Sequence, residues 1–253
     1  MADKAVRLWG LTMLRFAWVA CAAAAVFSVP AQAVTYTTAG AVVDGSGHNV
    51  DPGLGLGEVL VTGFDGHDIL SYDPANSSGF GLYTGSYSGV AAAPAGDTSQ
   101  YMAIGTGGSV LFDLRSLGTI HSASVYLGSI DTYNYIDVFG RDSAGNLDFS
   151  HSLLTISGSD MPPSNGDWYD AQTNRRLMLN FDASDNVGAL VFRSNGVAFE
   201  FDSLGVSSHP GGSGDHSTAA VPEPASWAMM VGSFGLVGGA MRSRRSKLSF
   251  ARS

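Results

Sequence analysis

The chain has 253 residues, 45% of them hydrophobic and only 14% charged, with a formal net charge of −9. So apolar a composition excludes an intrinsically disordered chain, and the acidic balance excludes a nucleic-acid binder, whose phosphate partners demand a basic surface. Thirty-three glycines against nine prolines point to many tight turns, the habit of an all-β chain rather than a helical one.

Lys4, Arg7 and Arg15 lead into an apolar run from Phe16 to Val29, followed by Ala31-Gln32-Ala33. A basic start, a short hydrophobic stretch and small residues at a cut site mark a secretory signal peptide. Residues 1–33 are therefore expected to be removed after Ala33, leaving Val34 as the first residue. An uncleaved anchor is the alternative, although the run is short for a spanning helix. Cys21 is the one cysteine and leaves with the signal, so no disulfide or cysteine metal site is expected in the exported chain. Between Val34 and Val221 lysine is absent, and five arginines face eighteen aspartates and two glutamates, a net charge of −15. Such a body is repelled by nucleic acid and by anionic lipid.

From Val34 to Ser99 the sequence is rich in Gly, Ala and Ser, and its strand order is not predicted. Beyond it, short apolar runs alternate with turn residues. The runs are EVLVTGF (58–64, within that first stretch), QYMAIG (100–105), SVLFDL (109–114), ASVYLGSI (123–130), YIDVFG (135–140), RLMLNF (176–181), GALVFRS (188–194) and VAFEFDSLGV (197–206). In the last, Val197, Phe199 and Phe201 alternate with Ala198, Glu200 and Asp202, a period of two that predicts one buried face. RDSAGN (141–146) predicts a hairpin, with Gly145 free to take a positive φ. The pattern predicts an antiparallel β-sandwich or jelly roll over 34–208.

Catalytic spacing is missing. GSYSG (85–89) carries Tyr87 where a nucleophile elbow needs serine, GLGLGEV (53–59) fails the dinucleotide fingerprint, and there is no HExxH or P-loop. His48, His67, His121 and His151 occur singly, and sequence alone does not pair them with a nucleophile. No enzyme activity and no cofactor are expected. Asp44 with Asp51, and Asp142 with Asn146 and Asp148, offer oxygen ligands to calcium, but neither stretch has the EF-hand order. Turn chemistry is the favoured reading, and no metal is assigned. DTYNY (131–135) and GDWYD (166–170) place Tyr133, Tyr135, Trp168 and Tyr169 in loops. Aromatic rings stack on sugar faces while nearby Asp and Asn bond hydroxyls, so Trp168 and Tyr169 form a candidate carbohydrate platform; packing under loops is the competing and favoured reading.

His209 to Ala220 is Gly/Ser/Thr/His-rich, and residues 209–221 read as a flexible linker. Pro222-Glu223-Pro224 follows as a stiff extended corner. Seventeen uncharged residues from Ala225 to Met241 would span ~26 Å as a helix, enough for a short membrane crossing. Trp227 suits the outer interface, while Arg242, Arg244, Arg245 and Lys247 would stay on the cytoplasmic side.

This ending resembles the PEP-CTERM sorting signal in its PEPxxWA variant: Pro222, Glu223, Pro224, Trp227 and Ala228, then a glycine-rich span and a basic tail (222–253). The resemblance implies export by the secretion machinery of a Gram-negative bacterium and transient anchoring in the inner membrane. It further implies recognition by exosortase, an integral-membrane transpeptidase-like enzyme that would cut near the corner and pass the body to the cell surface or extracellular polysaccharide matrix. LGSIDTYNYIDVF (127–139), SGSDM (157–161) and VFRSNGVAFEFDSLGV (191–206) resemble a body recurrent among exosortase-dependent surface proteins, a domain of no settled activity. The expected function is thus a non-enzymatic surface or matrix protein. One alternative is a secreted carbohydrate-binding or carbohydrate-active β-sandwich with the same address; another is a protein that stays anchored.

Overall fold

The computed structural model describes residues 34–210. Ala31 and Ala33, Pro222 to Pro224, Trp227 and Ala228, the apolar span and the basic tail lie outside the described residues. Among the described residues no helix is long and apolar enough to cross a membrane. The helical pieces there are four single turns of three residues each.

Twelve strands lie among the described residues: β1 Thr35–Gly40, β2 Val42–Val43, β3 Asn49–Val50, β4 Val59–Thr62, β5 Ser78–Thr84, β6 Gln100–Asp113, β7 Ser122–Gly128, β8 Asn134–Arg141, β9 Leu147–Ser157, β10 Arg175–Asn180, β11 Val187–Ser194 and β12 Phe199–Ser207. Every pairing is antiparallel, in the order β1-β10-β7-β12-β6-β11-β8-β9, with β4 added to β12 and β5 to β6; β2 and β3 form a separate hairpin. The all-β, antiparallel expectation holds.

Strand β6 belongs to both halves of this ladder. Its start, Met102 to Ile104, pairs with β5 and β12, whereas its end, Ser109 to Asp113, pairs with β11. The sequence reads as two runs, and the structure joins them through Gly105-Thr106-Gly107-Gly108. A Cβ on Gly108 would sit 2.4 Å from the Gly79 carbonyl oxygen, so only glycine lets β5 and β6 approach here. The two halves meet through their apolar faces. Phe192 of β11 stacks on Phe201 of β12 at 4.3 Å, and Phe112 meets both rings edge-on at 5.7 and 6.2 Å. Met102, Ile104, Val125, Leu127, Leu177, Val138 and Leu190 complete this core.

The β12 pattern needs a correction. Phe199 and Phe201 point into the core as predicted, but Ala198, Glu200 and Asp202 are buried as well, while Val197 is exposed. Strand β12 lies between β7 and β6 or β4, and its second face is roofed by loops. The same outer face carries Ser122, Ser124 and Tyr126 of β7, Arg176 of β10 and Tyr101 of β6, all buried. Two segments cover it: residues 51–58, and the loop Gly85 to Ser99 between β5 and β6, here called the strap.

Candidate functional site

The strap is fastened by hydrogen bonds to the buried polar face. Glu200 Oε1 accepts from the Ala92 backbone N–H at 2.9 Å, and Ser129 Oγ donates to Glu200 Oε2 at 3.0 Å. Tyr126 and Tyr101 donate their hydroxyls to the Ala95 and Gly85 carbonyls, each at 2.8 Å. Asn174, fully buried, accepts from Ala95 N–H at 2.9 Å and Ser129 N–H at 3.3 Å, and donates to the Trp168 and Asp170 carbonyls at 3.1 and 2.9 Å. One amide thus ties the strap, the end of β7 and the Trp168 loop together.

The Trp168 loop is ordered from its other side too. Arg175 donates to the Pro162 and Pro163 carbonyls at 3.3 Å each, and also to that of Gln172. Thr173 donates to the Asp170 carbonyl at 2.9 Å and is also bonded to that of Asp167. Gly166, at φ 68°, lies against the Asp131 carboxylate, where an added Cβ would fall 2.7 Å from Oδ2.

Between the strap and these loops lies an open cleft of about 260 Å³. Tyr87 and Val90 of the strap, Trp168, Val197, Asp131 and Glu200 are among its walls. Trp168 is 41% exposed, so its indole is offered to solvent at the cleft. Tyr169 is 74% exposed, is not among the cleft walls, and meets Trp168 edge-on, 4.9 Å between centroids at 60°. The two rings therefore present differently directed faces rather than one plane.

The other two aromatics are engaged by protein groups and half-buried, and Tyr135 lies in β8 rather than in the loop expected from the sequence. The Tyr133 hydroxyl lies between Asp131 Oδ2 at 2.6 Å and the Val197 carbonyl at 2.8 Å, and the Arg193 guanidinium sits 4.1 Å over the Tyr135 ring. Burial pushes the Glu200 carboxyl up to about 7, against the hydrogen bonds from Ala92 and Ser129, with Asp131 adding repulsion. Glu200 is only 2% exposed and both its oxygens are bonded. A general acid must aim its proton at the substrate, whereas this carboxyl holds two walls of the cleft.

The acidic loops singled out in the sequence resolve differently. Asp44 Oδ1 accepts from the Ser46 and His48 N–H groups, and Asp142 Oδ1 from those of Ala144 and Asn146. Asp148 accepts from Ser150. These are the turn roles favoured over an ion. Asp51 Oδ1 likewise accepts from the Gly53 N–H at 3.0 Å, and its carboxylate also pairs with Arg176. Among the described residues no three His, Cys, Asp or Glu side chains gather as a metal site would require.

Glu200, Ser129 and Asn174 were not foreseen. Glu200 sits in a strand whose alternation places it away from the core, and nothing local to Ser129 or Asn174 sets them apart from turn residues.

No family model matches the chain, and no curated protein matches it. Among solved structures it is similar to CsCBM6-3 from Clostridium stercorarium in complex with cellobiose, at 14% identity and a TM-score of 0.34, covering 62% of this chain and 99% of that one. It is also similar to the CBM22-1–GH10 modules of xylanase 10B from Clostridium thermocellum complexed with xylohexaose (13% identity, TM-score 0.36, 62% of this chain, 28% of that one). A third is the CBM22-1 xylan-binding domain of Paenibacillus barcinonensis Xyn10C (11%, 0.33, 60% and 96%). Likeness at this level carries no argument about this chain's ligand.

Proposed function

We propose that the body is a non-catalytic polysaccharide-binding module that grips a sugar chain in the Trp168 cleft. The observation that carries the reading is an exposed indole set beside a polar-walled cleft by a loop that buried Asn174 and Arg175 hold in place. The ring supplies a flat apolar face for a pyranose, and the Asp131 carboxylate supplies an acceptor for hydroxyls. The body is read as a β-sandwich wrapped in the jelly-roll manner, an assignment supported by the two ladder halves that β6 joins. Trp168→Ala should abolish retention on polysaccharide from the producing cell while leaving the β-rich circular dichroism intact. Unchanged retention would sink the proposal, as would a native protein that no such polysaccharide retains.

The same proposal takes the chain to be a PEP-CTERM protein delivered to the cell surface or matrix by exosortase. Its support is the order of parts in the sequence: an export signal, a body, then Pro222-Glu223-Pro224, an apolar span and a basic tail. The mature chain should begin at Val34, and N-terminal sequencing checks this. Changing Pro222, Glu223 and Pro224 to Ala should leave the full-length protein in the inner membrane, as should deletion of exosortase. Release of the triple-Ala protein at its normal size would favour a permanently anchored or merely spaced tail.

A further inference from the structure

We propose that Asp97 and Asp202 hold a divalent cation, Ca²⁺ by the chemistry of the donors, beneath the strap. Asp202 is only 5% exposed; its Oδ2 accepts from Ser203 Oγ at 3.1 Å, and its Oδ1 is buried with no hydrogen-bond partner. Asp97 Oδ1 accepts from the Ser99 N–H at 2.8 Å and from its hydroxyl at 2.5 Å, and its Oδ2 is likewise buried and unpartnered. The same Ser99 hydroxyl lies 3.4 Å from Asp202 Oδ2, so the two carboxylates are neighbours separated by one hydroxyl. That hydroxyl has a single proton to give, and the short contact assigns it to Asp97. Both aspartates line a cavity of about 270 Å³, together with Gly96, Thr98 and Tyr126.

Among the described residues no basic side chain is bonded to either carboxylate. Arg176, the guanidinium in this neighbourhood, is bonded to Asp51, Ser124 Oγ and the Ser203 carbonyl. Lysine is absent from Val34 to Val221. Two adjacent carboxylates, each with a buried orphan oxygen, are a costly arrangement unless a proton or a cation completes it, and a cation satisfies both orphan oxygens where a proton satisfies one. The donors available are carboxylate, hydroxyl and backbone oxygens without nitrogen or sulfur, the hard irregular set that Ca²⁺ accepts and the octahedral demands of Mg²⁺ disfavour. With two carboxylates rather than three or more, the rest of the shell falls to neutral oxygens and water. Affinity should then be in the range of about 10⁻⁴–10⁻³ M found for extracellular modules.

The test uses the full-length protein in detergent, stripped with chelator and then given 10 mM-scale Ca²⁺ or Mg²⁺. Mass action at that affinity should raise the melting temperature by roughly 3–10 °C with Ca²⁺ and by less with Mg²⁺. Terbium should bind in place of calcium, with luminescence excited through Tyr126 and quenched by added Ca²⁺. Asp97→Asn and Asp202→Asn should each remove both responses, and the half-buried Asp97 makes the first variant the one safe for folding. The proposal is overturned if Ca²⁺ leaves the melting temperature unchanged. It is overturned equally if both signals survive in Asp97→Asn, since the ion would then sit elsewhere on an acidic surface.

Discussion

Replacing Asp51 with Asn would strand a buried guanidinium. Arg176 is 1% exposed, and four hydrogen bonds hold it: two to Asp51 (Nε to Oδ1 at 2.8 Å, and Nη2 to Oδ2), one to Ser124 Oγ at 2.9 Å and one to the Ser203 carbonyl at 3.0 Å, with Ser124 in turn donating to the Glu58 carboxylate. Asn keeps the volume but removes the countercharge and leaves one oxygen where there were two. Breaking a buried pair from one side costs about 3–5 kcal/mol. The Asp51 side chain is 26% exposed, so water can reach the gap and the lower end, about 3 kcal/mol, applies. For a body of this size that is a fall of roughly 6–12 °C in melting temperature. In urea, the midpoint should drop by about 1.5 M with the slope unchanged, taking a slope of about 2 kcal/mol/M. The double variant Asp51→Asn/Arg176→Met should recover most of the loss, because it removes the charge along with its partner. A single variant within about 1 kcal/mol of the native protein would refute the reasoning, as would a double variant worse than the single.

Phe201→Ala should destabilise by about 3–5 kcal/mol in the same urea assay, since the ring is fully buried between Phe192, Phe112 and Phe199. Asn174→Ala should cost about 2–4 kcal/mol and also weaken polysaccharide retention measured as for Trp168→Ala, because the same amide holds the loop and the strap. The side-chain hydrogen bonds of Arg115 hold the Asp113 carboxyl below the usual carboxylate range. The stability it contributes is therefore present above the unfolded-state pKa near 4 and is lost as the pH falls through the lowered value. Asp113→Asn should accordingly lose less melting temperature than the native protein between about pH 5 and pH 2.

The apolar runs were legible because strand and burial coincide in them: β7, β8, β10 and β11 lie within two residues of their predicted spans. The hairpin at RDSAGN was legible from its turn chemistry, with Gly145 at φ 83° and Asp142 N–H bonded to the Asn146 carbonyl. Strand β5 was missed, and β9 was foreseen only as the unnamed second arm of that hairpin. The first has glycine or serine at three of its seven positions, and the second lies at the edge of the ladder with most of its residues exposed, so neither needs a strong apolar alternation. Trp168 was singled out because an aromatic ring in a turn-rich stretch is conspicuous, and the structure places it half-exposed at the cleft. The burial of Glu200 and Asp202 was not legible, since alternation reports only that two faces differ. What roofs the second face is decided by a distant loop that contributes no rung to either ladder half.

That loop has a consequence for how such a chain can change. Thr84 and Gln100 face each other across the β5–β6 ladder, so the strap leaves and re-enters the sheet at a single rung. It is a closed excursion of the Ω-loop kind, an exchangeable cassette rather than a link whose length sets the fold. Doubling its length would add only about 0.6 kcal/mol of closure entropy. Insertions at the exposed tip of the strap, Ser88 to Val90, are therefore far better tolerated than equal changes in β12, whereas Gly85, Ala92 and Ala95 are held by the buried face beneath them. Replacing only the tip Ser88–Val90, with Gly85 and Ala91 to Ser99 kept, should redirect what the molecule grips while its melting transition stays cooperative.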